Sequence, residues 1–149
     1  MAIFTKDDDK KKMTVDDIKA KISEWSEVFE VFQDEDDLKS LHRILHYPIL
    51  KEKLVLSEID KSFTYILKEP IKANDNTVKY SSINIKDCDM EKKRTFNKLE
   101  DVTDKGAAMF QAYCNTDGED LPIGFISRIN SGDQLVINSI ITGFFIGAI

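Results

Sequence analysis

The sequence predicts an α+β fold: an N-terminal helical hairpin, one β-hairpin, then a C-terminal bundle of three to four helices. Three observations predict it. Apolar residues recur at gaps of three and four from Val15 to Phe32, the period of a helix with one buried face. At Ser62 the period drops to two, the signature of a half-buried strand. After Lys86 helical spacing returns and continues to the end of the chain. The expected divisions are a flexible arm over 1–13, a helical subdomain over 14–61, and a β-hairpin plus helical domain over 62–149.

The arm carries KDDDKKK, opposed charges without periodicity. Thr14, with Asp16 and Asp17 behind it, opens the first helix, because a hydroxyl cap and early acids satisfy its free amides. Val15, Ile18, Ile22, Trp25, Phe29 and Phe32 form the inner stripe, widened by Val28 and Val31. Asp34 to Asp37 breaks that pattern and supplies an acidic start for a second helix. Leu38, Leu41, Ile44 and Leu45 lie on its inner face, Pro48 kinks or ends it, and 49–59 is expected to resume as helix.

Phe63, Tyr65 and Leu67 alternate with Thr64 and Lys68, and Ala73 to Asn76 has the Asn/Asp chemistry of a turn. Val78 and Tyr80 are out of phase with Ile83 and Ile85, so a bulge or bend is expected at Ser81-Ser82. Asp87 or Asp89 then caps a helix and Asp104 another. Residues 115–120 read as a polar loop, and Leu121-Pro122 opens a third helix closed by Asn130.

The tail, Ser131 to Ile149, is the most apolar segment. Ser131 and Gln134 have capping-box spacing. Ile137, Ile140, Ile141, Phe144 and Phe145 share one face, while Asn138, Ser139, Thr142 and Gly143 occupy the other. No charge lies between Asp133 and the terminal carboxylate, so both faces are expected to be covered, by this chain or by a partner. The segment is shorter than the ~20 apolar residues of a membrane span.

The 149 residues carry a net charge of −6 and are 42% hydrophobic. That is enough for a packed core, and the wrong sign for nucleic-acid binding by bulk electrostatics. Residues 1–12 lack the apolar run of a secretory signal. Cys88 and Cys114 form no disulfide framework, which suits a reducing cytosol. His42 and His46 lie four apart, the spacing of a shared metal, but no third ligand is near in sequence. They read as helix histidines, with no metal and no cofactor expected. Lys92, Lys93, Arg94 and Lys98 are surrounded by acids and read as a solvated face. No phosphate loop, nucleophile elbow or zinc-protease motif is present, so no enzyme is expected.

The order of elements from Ser62 to Phe145 resembles the tail assembly chaperones of tailed bacteriophages. The matching residues are Leu67, Pro70 and Ile71, then Ile83 and Ile85, then Phe125, Ile126 and Ile129. Asp133, Ile137, Ile141, Gly143, Phe144 and Phe145 complete the series. The resemblance implies a non-enzymatic protein of the host cytoplasm or virion that shields tape-measure and tail-tube proteins through apolar helix faces, with self-association as a further option. It implies neither nucleic acid nor membrane as partner. Ile140, Ile141, Phe144 and Phe145, with Trp25 and Phe29, are the expected partner-binding residues. A structural tail, baseplate or connector subunit is the first alternative, and a small inhibitor of a host factor the second.

Overall fold

The computed structural model describes residues 13–116 and 119–146. All but Met13 of the arm expected over 1–13 therefore lies outside the described residues. The fold is α+β. Two N-terminal helices and the C-terminal helices cover one face of a single antiparallel sheet.

Helix α1 spans Val15–Val28. Thr14 Oγ1 accepts from the Asp17 amide at 3.1 Å, and the Thr14 amide donates back to Asp17 Oδ2 at 2.9 Å. Asp34 and Asp37 repeat this reciprocal cap at the start of α2, Glu35–Leu50. Each box satisfies amides that a helix start leaves open. Pro48 does not end α2, which runs two residues further, because the proline sits in the last turn where little helix follows it.

Residues 49–59 do not resume as helix. Glu52 turns the chain at φ 57°, and Leu54–Ser57 forms strand β1. A run of three apolar residues is ambiguous on its own, and antiparallel pairing with β2 decides it. Strand β2 is Ser62–Lys72 and β3 is Val78–Lys86, joined by the expected turn with Asn76 at φ 68°. The expected polar loop over 115–120 is two further short strands. These are β4, Cys114–Thr116, which pairs with β3, and β5, Glu119–Asp120, which pairs with β4. The sheet order is β1-β2-β3-β4-β5.

Leu56, Phe63, Ile85 and Cys114 make one cross-strand row facing the helices, and Leu54, Tyr65 and Ile83 another. Val55, Thr64, Asn84 and Asn115 face away from them. The expected break near Ser81-Ser82 is present, but the extra residues lie on β2. Ile66 pairs with Ser82 and Ile71 with Tyr80, so Leu67 to Pro70 stand opposite Ser81 alone.

Helix α3, Met90–Asn97, is capped by Asp89. Helix α4, Val102–Tyr113, starts ahead of Asp104, which therefore sits inside its first turn rather than at the cap. Pro122 precedes α5, a single turn over Ile123–Ile126. Asn130 does not close that turn. It caps the next helix, α6, Ser131–Ile140, with Oδ1 accepting from the Gly132 amide at 2.8 Å. Gln134 donates to the Ile129 carbonyl instead of completing a box with Ser131. A π-helical turn, Ile141–Phe145, ends the described tail. Among the described residues, no helix is long and apolar enough to cross a membrane.

One buried cluster joins these parts. Ile18, Ile22 and Trp25 of α1 meet Leu41 and Leu45 of α2, Phe63 and Ile85 of the sheet, and Ile137, Ile140, Ile141 and Phe144 of the tail. The division drawn between 61 and 62 is thus bridged twice, by β1–β2 pairing and by Trp25 packing edge-on against Phe63 at 5.3 Å.

Gly143 packs so closely on Leu41 that a side chain there must displace it. A Cβ there would lie 2.9 Å from Leu41 Cδ2, and Leu41 is itself buried. Gly143→Ala is expected to destabilise by about 1–3 kcal/mol through overpacking. Adding Leu41→Val should recover part of that loss, a non-additivity that a double-mutant cycle in urea unfolding measures.

Candidate functional site

The last turn of the tail, the end of α1 and the β1–β2 turn meet around an open groove of about 340 Å³. Phe29, Val31, Phe144, Phe145 and Ile146 line it, and Asp60, Lys61, Lys86 and Asp87 form its charged rim. The local sequence accounts for this arrangement. Glu30 turns left-handed at φ 56° and the Val31 amide donates back to the Ser26 carbonyl at 2.9 Å, so the chain reverses directly after α1. Gln33 Nε2 donates to the Gly143 carbonyl at 2.7 Å and ties that reversal to the tail. The π-helical turn then directs Phe144 into the core and leaves Phe145 at the boundary.

The groove floor is aromatic. Phe145 packs edge-on against Phe29 at 5.1 Å and stacks on Tyr113 at 5.7 Å, while Phe63 lies 5.1 Å from Phe144. Two large apolar side chains beside it in sequence are open to solvent: Phe32 at 81% and Ile59 at 96%.

The expected partner-binding residues divide accordingly. Ile140, Ile141, Phe144 and Trp25 are buried by the chain itself, so in this fold they form the interior rather than a surface. Phe29 and Phe145 are half-buried and reach the groove. The reason is coverage: the helical hairpin of α1 and α2 lies over the tail face that sequence reasoning left open. Val31, Phe32, Ile59 and Ile146 were not assigned to a surface. Phe32 had been placed on the inner stripe of α1, but that helix stops at Val28. Ile59 had been placed on a helix and is instead part of the β1–β2 turn.

Polar chemistry is concentrated elsewhere. A cleft of about 500 Å³ at the end of β3 includes Asn84, Lys86, Cys88 and Cys114. Burial pushes the Cys88 thiol up, against a smaller downward pull from the Tyr113 hydroxyl, and burial pushes Cys114 up as well. Both thiols are therefore held protonated, and a protonated thiol is a poor nucleophile. Lys93 pairs with Asp87 at 3.2 Å, which fits the solvated-face reading of the basic cluster. Among the described residues, no three or more His, Cys, Asp or Glu side chains converge to hold a metal.

A buried carboxylate links the two halves of the 62–146 unit. Asp133 is 1% exposed. It accepts from the Tyr65 hydroxyl at 2.5 Å, the Lys68 amide at 3.0 Å and the Glu69 amide at 3.1 Å. The two amides are those the β2 irregularity releases from strand pairing. Burial, then the hydrogen bond to Asp133, pushes the Tyr65 hydroxyl far up. Comparison with protein-family models, with curated proteins and with solved structures found no match.

Proposed function

We propose that this protein is a non-enzymatic assembly factor of the phage tail-chaperone kind, which shields an apolar segment of a tape-measure or tail-tube protein. One observation carries the reading. Most of the residues behind the resemblance lie in the core that they share with α1 and α2. Leu67, Ile71, Ile83, Ile85, Ile126, Ile129, Ile137, Ile141 and Phe144 share one buried cluster, and Asp133 pins the terminal helix to the hairpin. Together with Phe29 and Val31 that cluster lines a groove, and Phe32 and Ile59, exposed neighbours in sequence of lining residues, add apolar surface for a partner helix. The contact surface thereby shifts from the tail helix face to the groove, with Phe29 and Phe145 retained.

The test is co-purification with tape-measure and tail-tube proteins of a tailed phage. Phe32→Asp and Ile59→Asp each replace an exposed side chain, so folding should hold while capture falls about tenfold or more, the loss of an interface anchor. Undiminished capture by both variants and by Ile146→Asp, which alters the groove lining itself, defeats the groove assignment. Stoichiometric presence in purified virions defeats the chaperone reading in favour of a structural tail subunit.

A further inference from the structure

We propose that His42 and His46 form a two-point chelate for one divalent transition metal ion of the zinc, nickel or copper(II) class. Both rings project from the same face of α2, half-buried. His42 Nε2 and His46 Nδ1 lie 3.1 Å apart. Metal–imidazole bonds are about 2.0–2.1 Å, so donors that neighbour each other at right-angle to tetrahedral spacing are about 2.9–3.4 Å apart. The pair already has that separation. The hydrogen bond aims the two nitrogens at each other, so each ring must turn for both lone pairs to meet one ion. A metal ion takes the place of the shared proton after a modest rotation of each ring.

The surroundings restrict the rings rather than complete the coordination. Tyr47 stands at right angles to His46, ring centres 5.0 Å apart, and limits its rotation. Lys19 of α1 is close enough to act on His42, and Arg43, exposed, follows His42 in sequence. These cations oppose a dication and make the chelate modest in affinity. Water fills the remaining positions, more of them than in open zinc sites, which keep three protein ligands. Copper(II) should bind most tightly, by the general order for nitrogen ligands.

Zinc chloride titrated into the full chain, in a non-coordinating buffer near neutral pH, tests this by calorimetry. One ion per chain is expected. His42→Asn and His46→Asn should each weaken binding about tenfold or more, because a lone imidazole loses the effective concentration of its neighbour. Cys88→Ser should leave binding unchanged. Wild-type affinity in either asparagine variant overturns the proposal, as does loss that follows Cys88→Ser. In the unmodified chain, the imidazole NMR signals of both residues should shift together on zinc addition; signals that stay in place overturn it without recourse to any variant.

Discussion

Asp133→Ala is expected to remove about 3–5 kcal/mol of stability, a large share of the 5–15 kcal/mol typical of a domain. The carboxylate is the acceptor for three donors: the Tyr65 hydroxyl and the amides of Lys68 and Glu69. Alanine leaves all three without it, and an unmet buried donor costs about 1–3 kcal/mol. The amides are only part-buried, and water reaching them trims the sum. Asp133→Asn should be nearly as harmful. An asparagine keeps one carbonyl oxygen, and its NH2 would face a donor where Oδ1 or Oδ2 now accepts. Tyr65→Phe removes a single donor and should cost about 1 kcal/mol. Urea unfolding of the two single variants and the double variant closes a cycle. A Tyr65–Asp133 coupling near zero would mean that the hydroxyl contact contributes little and that the amides dominate.

How much of this was legible before the structure depends on where the deciding interaction lies. The first two helices were readable because their caps and stripes are local: Thr14 with Asp17, Asp34 with Asp37, and apolar residues at helical spacing. The phase slip between Tyr80 and Ile83 correctly marked a break in the hairpin. It did not indicate that β2 carries the surplus residues, because a phase shift is the same whichever strand loops out. Strand β1 was misread as helix, since Leu54 to Ser57 becomes a strand only by pairing with residues that follow it in sequence. Strands β4 and β5 were hidden in the same way, behind turn-forming residues. Asp133 stood out in the sequence only as the last charge of the tail and as part of the family resemblance. Its partners lie more than sixty residues away, and no local pattern announces them.

The tail illustrates the same limit for the candidate site. Its lack of charge implied cover on both faces, but only the apolar face is covered, since Leu135 and Thr142 on the other are exposed. Whose atoms cover that apolar face is not written in the segment. Leu41 and Gln33 of the N-terminal region supply part of the cover, so four of the six residues offered to a partner became core. What stayed open lies at the margins, where Phe32 and Ile59 fall just outside the elements that were expected to bury them.

Phe144→Asp and Ile146→Asp should therefore give opposite outcomes although they introduce the same charge two residues apart. Phe144 is 2% exposed, with the rings of Trp25, Phe29 and Phe63 around it. Truncating such a phenylalanine to alanine costs about 3–5 kcal/mol. A carboxylate in its place must also be desolvated without a partner, which adds several kcal/mol more and exceeds what a marginally stable domain can absorb. Phe144→Asp is expected to abolish the cooperative unfolding transition and to lose the near-ultraviolet signal of Trp25. Ile146 is 38% exposed at the groove mouth. Its replacement by Asp should cost no more than about 1 kcal/mol, since an exposed site lets the charge stay hydrated. Circular dichroism should remain that of the parent while partner capture falls. If Phe144→Asp instead folds with a native transition, the tail does not pack as described. The groove built on it, and the binding role assigned to that groove, would then fail together.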